Sequence, residues 1–286
     1  MDLIVIGVAL GAVYGLVAVG IVLVYKSTRV LNFAQAELGT FGLYISWTLL
    51  QKNVNWLLAA IVAVAATTAV GVGFERLVIR PMGDASRVSL SVATAGLLLL
   101  LFAVELKIWR ISPRTVDSPF KGDGISALGL SIDPPRLLAL AALGVIAAGL
   151  AVLFTKTRFG LGILAVAEDA GTARLMGVPY ARVSMFTWGL AGAVGGLAGL
   201  LIGPLQGVFA PLTLTGVLFV PGLTAALLGG LTALPGAFVG GIAVGVIETL
   251  LRRRFPTVPG IGSYGMLALI LTILLARPRG LLGRAA

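Results

Sequence analysis

RFGLGILAVAEDAGTARLMGVPYARV, residues 158–183, is the longest polar-containing passage between apolar runs that still reads as helix. Glu168 and Asp169 come early, Arg174 follows, and Gly177-Val178-Pro179 stops the run. Acid near a helix start, base later and a Gly-x-Pro end predict an exposed amphipathic helix. Ala165, Ala167, Ala170, Ala173, Leu175 and Met176 give it a small and apolar contact surface. A short helix of this kind, held between two membrane spans, is suited to dock into another protein. It reads as a coupling element, with the rest of the chain as the pore it serves.

The flanks justify the word membrane. Of 286 residues, 58% are hydrophobic and 11% charged. A soluble domain has no means of hiding that much apolar surface, so several spans face lipid. Leu3 to Tyr25 is apolar with no basic residue before it, which reads as a retained first span rather than a secretory signal. Gly7, Gly11 and Gly15, four apart, predict close helix approach on that span. Further spans are expected in the passage 26–50 that follows and at about 56–78, 89–106, 137–155, 184–203 and 262–276. In the span at 184–203, Gly192/Gly196, Gly195/Gly199 and Gly199/Gly203 repeat the small-residue spacing. Two short apolar segments, 217–231 and 236–250, read equally as a pair of spans or as a re-entrant hairpin. The segment 107–136 is too polar to span and reads as an extracytoplasmic landing surface, with Glu105 at the interface before it.

The passage after the first span is unusual. Lys26, Ser27, Thr28 and Arg29 are followed by Asn32, Gln35 and Glu37, which puts three polar side chains at or near membrane depth. Such groups are costly in lipid and usually face a bundle interior or an aqueous cavity. Asn32, Gln35 and Glu37 are therefore the candidate lining of a translocation path or a broken helix; a solvated helix start at the interface is the plainer reading.

Charge and missing residue types narrow the function. Lys and Arg number 21 against 11 Asp and Glu, a net charge of +10. The basic residues cluster at span ends, matching the positive-inside bias and not a nucleic-acid surface. Placing the N-terminus outside over nine crossings puts twelve of the 21 inside, including Lys26, Arg29, Arg76, Arg80, Arg87, Lys156, Arg158, Arg174 and Arg182, with the C-terminus inside too. The chain has no Cys and no His, which removes disulfides, thiol nucleophiles, Cys/His metal sites and imidazole chemistry. It has no G-x-x-x-x-G-K-[ST] loop and no G-x-S-x-G. No catalytic residue, metal or cofactor is expected. A secondary carrier would place acid-base pairs at mid-span and has no need of a compact docking helix. An ATP-driven permease does need one.

With these residues in view, the chain resembles the permease subunits of branched-chain amino acid ABC transporters, H-type, of the LivH/LivM permease family. Four passages carry the likeness: GAVYGLVAVGIVLVYKSTRVLNFAQAELG (11–39), AVAEDAGTARLMGVPYARV (165–183), AALLGGLTALPGAFVGGIAVGVIETL (225–250) and ARPRGLLG (276–283). One departure is Gln35-Ala36-Glu37, where the family often has His-Gly-Glu. The resemblance implies an all-α polytopic membrane protein of about eight to nine transmembrane helices with the ABC importer permease fold, in the cell membrane of a prokaryote. Residues 1–286 would form one permease domain, and 156–182 the cytoplasmic coupling loop within it. Glu168, Asp169, Arg174 and Gly177 become the expected docking surface for ABC ATPase subunits. A second, M-type permease or a second copy of this chain would complete the pore, and an extracytoplasmic solute-binding protein would feed it. Related permeases serve urea and short amides, so the substrate stays open at this stage.

Overall fold

In hydrocarbon every backbone amide must be paired within its own segment, so the apolar runs become helices. The computed structural model describes residues 2–83, 85–116, 125–127, 130–276 and 280. In order these are α1 (Asp2–Thr28), α2 (Gln35–Gln51), α3 (Trp56–Phe74) with a π-helical turn at Glu75–Ile79, and α4 (Arg87–Trp109). After β1 (Arg114–Thr115), β2 (Ile125–Ala127) and β3 (Leu130–Ile132) come α5 (Pro134–Lys156), α6 (Arg158–Glu168), α7 (Ala170–Leu175) and α8 (Tyr180–Gln206). β4 (Val208–Phe209), α9 (Thr213–Gly229), α10 (Leu234–Arg254) and α11 (Ile261–Ala276) complete the chain. The protein is all-α and polytopic: α1, α3 with its π-turn, α4, α5, α8 and α10 are the six described helices long and apolar enough to cross a membrane. α9 and α11 are shorter apolar helices. The expected terminal passage 276–283 lies outside the described residues save Ala276 and Gly280, as do Asp84, the middle of the 107–136 segment at 117–124, and 128–129.

Glycine stripes set the packing. α1 packs on α10, α8 and α9. A Cβ at Gly7 would come within 2.8 Å of Val246 Cα, and one at Gly11 within 2.7 Å of Ile242 Cα, so the α1 stripe lies directly on the α10 backbone. α8 does the same on two sides. Gly192 and Gly196 meet Thr67 of α3, while Gly195 and Gly199 meet Gln35 and Gly39 of α2. These approaches are possible only where no side chain intervenes. α3, α4 and α5 each turn a bare apolar face outward, with Leu57, Val88, Leu99 and Val145 among the exposed residues.

Three features bear on the site. α8 runs through Pro204 to Gln206, so the passage at 204–216 holds a helix end, a short strand and a helix start. β4 pairs antiparallel with β1, which ties that passage to the segment after α4. Glu105, expected at the interface, is fully buried within the protein, because α4 turns that face toward α2.

Candidate functional site

Between α1 and α2 the chain breaks and turns back on itself. Gln35 packs against Gly20, eight residues before the end of α1 and so about 12 Å along its axis. Residues 29–34 are not helical, and their amides need other partners. Ser91 and Thr94 of α4 supply two: Leu31 N–H donates to Ser91 Oγ (3.2 Å) and Phe33 N–H to Thr94 Oγ1 (3.0 Å). Thr94 donates in turn to the Leu31 carbonyl (2.9 Å). Asn32 Oδ1 accepts from Ala34 N–H (3.1 Å), Asn32 Nδ2 donates to Gln35 Oε1 (3.0 Å), and Gln35 Nε2 donates to the Ala191 carbonyl of α8 (2.8 Å). Asn32, Gln35 and Glu37 are all fully buried. The first two hold the break together. Glu37, one turn further on, accepts from Thr40 (3.3 Å) and Thr215 of α9, with the Leu212 backbone close by. Leu212 has φ 61°, a left-handed conformation that costs a non-glycine residue about 1–2 kcal/mol.

Glu37 does not stand alone. The Glu105 carboxyl of α4 faces it, and Tyr44, one α2 face further along, lies beside both. Tyr44 stacks on Trp109 (4.9 Å between centroids) and meets Phe209 edge-on (4.7 Å). Arg114 of β1 closes this side: its guanidinium lies 4.8 Å from the Trp47 ring centre and donates to the Trp109 carbonyl (3.2 Å). Sequence reasoning missed Glu105, Tyr44 and Arg114 as companions of Glu37. An acid at the nineteenth of the 23 residues of the largely apolar α4 was the available signal for Glu105.

The second candidate region lies at one end of the bundle. Arg29 after α1 donates to the Ala167 carbonyl of α6 (2.9 Å), and Arg80 after the π-turn donates to the Ala181 carbonyl of α8 (3.0 Å). Lys26 lies 5.9 Å from the Phe154 ring near the end of α5. The basic residues expected on one side, from Lys26 to Arg182, therefore share an end. The stretch 158–183 forms two helices and not the one expected. Asp169 separates them with an extended backbone (φ −147°, ψ 107°) and caps α7, its Oδ1 accepting from Thr172 N–H at 2.6 Å. That bond holds the Asp169 carboxyl below the usual carboxylate range. Glu168 ends α6 instead of starting a helix. Arg174 lies 4.2 Å over the Tyr180 ring, and Gly177 at φ +82° turns the chain into α8. Leu175 and Met176 stand 89% and 80% exposed at this tip, far more than stability of the chain alone would favour. Beside it opens a cavity of about 690 Å³ whose lining includes Arg80, Arg87, Arg174 and Arg182.

Residues 3–276, which take in the polar break and the capped helix, match one family model, described as the branched-chain amino acid transport system / permease component. The chain belongs to this family. It is similar to the high-affinity branched-chain amino acid transport system permease protein LivH of Salmonella typhimurium, 30% identical across 97% of this chain and 94% of the relative. The corresponding protein BraD of Pseudomonas aeruginosa is 28% identical over the same shares. A probable branched-chain amino acid transport permease LivH of Methanocaldococcus jannaschii is 30% identical across 94% of this chain and 88% of its own. No solved structure matches. As a member of this permease family the protein is a multi-pass component of the cell membrane with a transport role.

Proposed function

We propose that the chain is the pore-forming permease subunit of an ATP-driven importer of branched-chain amino acids. It works with separate ABC ATPase subunits, with a second permease subunit or a second copy of itself, and with an extracytoplasmic solute-binding protein. The N-terminus lies outside and the α6–α7 end in the cytoplasm, with α2, α9 and α11 adding to the six long helices for nine crossings or entries. The single observation that carries the reading is the α7 tip. A six-residue helix capped by Asp169, stopped by Gly177 and bearing bare Leu175 and Met176 is a contact surface without a contact in this chain. Glu168, Asp169, Arg174 and Gly177 shape it, and the arginine-lined cavity beside it favours an acidic partner surface. The α1–α2 break supports the path: Asn32 and Gln35 hold non-helical backbone inside the bundle, a construction tolerated where it is enclosed by protein or lines a cavity. Glu37 then offers a charge to the solute.

The test is purification of the detergent-solubilised chain from its native membrane with identification of bound proteins. An ATPase and a second permease should be recovered, and Glu168→Arg should lose the ATPase while keeping the permease. Recovery of the chain alone, moving solute in liposomes without ATP, would refute the importer.

A further inference from the structure

Among the described residues, six buried side-chain polar atoms lack a hydrogen-bond partner: Glu37 Oε1, Tyr44 Oη, both Glu105 carboxyl oxygens, Arg114 Nε and Trp188 Nε1. Five of the six belong to one cluster. Buried polar groups are almost always paired, and several left unpaired together call for a ligand that pairs them. The orphans sort by chemistry. The Glu37 and Glu105 carboxyls hydrogen-bond to each other only through a shared proton, and once both are ionised their three oxygens accept only; Arg114 Nε–H donates only, and the Tyr44 hydroxyl does either. They are ordered in space as well: the two carboxyls face each other at the start of α2, Tyr44 follows, and Arg114 sits beyond it against Trp109 and Trp47.

We propose that this cluster is an occluded binding site for the zwitterionic head of an α-amino acid. The ammonium lies between Glu37 and Glu105, and the carboxylate meets Arg114 and the Tyr44 hydroxyl. An ammonium has three N–H donors, and it takes the place of the shared proton through which the Glu37 and Glu105 carboxyls hydrogen-bond to each other. A carboxylate needs donors, and Arg114 Nε–H and Tyr44 O–H are the two left over. The rings of Trp109 and Phe209, packed on Tyr44, supply an apolar wall for the side chain. Two carboxyls in contact without a cation between them repel unless a proton is shared, and the ammonium supplies the missing positive charge. Glu37, Glu105 and Tyr44 are fully buried, so the site is sealed in this conformation. The link from β4 to α9, residues 210–212, with Leu212 left-handed and Thr215 holding Glu37, is the part whose movement would open it. The assignment rests on the permease reading above, and it adds the residues that recognise the substrate class.

The experiment measures binding of radiolabelled L-leucine to the purified full-length chain in lipid nanodiscs. L-leucinamide, which lacks the carboxylate, and 4-methylpentanoate, which lacks the ammonium, serve as competitors. L-leucine should bind saturably, and each half-ligand should compete at least about ten-fold more weakly. Glu105→Gln, nearly isosteric, should weaken L-leucine and L-leucinamide by at least about ten-fold and leave 4-methylpentanoate unchanged. Arg114→Gln should do the reverse. No saturable L-leucine binding by the wild type, displacement by urea instead, or equal losses for both half-ligands in both variants would each overturn the site. The wild-type competition requires no mutant to fold. Co-purification of the ATPase is read separately, so the site can fail while the importer reading stands.

Discussion

Gly177→Ala and Gly177→Pro examine the turn that joins the α7 tip to α8. Gly177 holds φ +82°, and a Cβ there meets nothing within 4 Å. Alanine therefore costs only the left-handed strain, about 1–2 kcal/mol, which lowers the population of the native turn roughly 5- to 30-fold relative to unwound alternatives. Proline does more. Its φ near −65° has the wrong sign, and it removes the N–H that donates to the Arg174 carbonyl at 3.0 Å. The neighbouring bond from Val178 N–H to the Ala173 carbonyl, 2.9 Å, cannot survive in register. The assay is ATP-driven L-leucine uptake by proteoliposomes holding the complete transporter, alongside ATP hydrolysis. Alanine should slow uptake several-fold, and proline should lower it below about one tenth while hydrolysis persists. Gly96→Ala on α4, which also meets no neighbour, is the control and should transport normally. Wild-type uptake by the proline variant at wild-type abundance would refute the coupling role.

Other outcomes follow from the same geometry. Asp169 has a depressed carboxyl, so its cap is intact above the ordinary Asp range and is lost only as pH falls through the lower folded value. Protection from amide exchange across 170–175, taken relative to the intrinsic rate at each pH, should stay high at neutral pH, fall on strong acidification, and be low at every pH in Asp169→Ala. Asp169→Asn should keep the cap and lose the acid dependence, since an Asn oxygen also accepts from Thr172 N–H. Gly199→Val drives a side chain into the Gly39 backbone and should cost about 1–3 kcal/mol or more, seen as a lower unfolding temperature in detergent. Gln35→Leu keeps the volume beside Gly20 but removes the bond to the Ala191 carbonyl and leaves Asn32 Nδ2 without a partner; about 1–3 kcal/mol of stability should be lost in the same assay.

The sequence by itself determined the membrane, the helical class, the glycine faces and the polar stretch held between two spans. Each of these is a local property: an apolar run long enough to span, a four-residue glycine spacing, a polar insert ended by Gly-x-Pro. It also marked Asn32, Gln35 and Glu37 as costly at depth, since the penalty on a polar group in lipid does not depend on its neighbours. What those residues do was decided by tertiary structure. The roles of Asn32 and Gln35 follow from the return of the chain against Gly20, which leaves amides at 31, 33 and 34 in need of partners 60 residues away and next door. For Glu105, hydropathy gave its position along a span but not which face it turns. Only the packing of α4 on α2, and of β1 on β4, brings Glu105 and Arg114 to either side of Tyr44. The break at Asp169 was hidden for the same kind of reason: an acid near a helix start and an acid capping a second helix look alike until the backbone amide it binds is known.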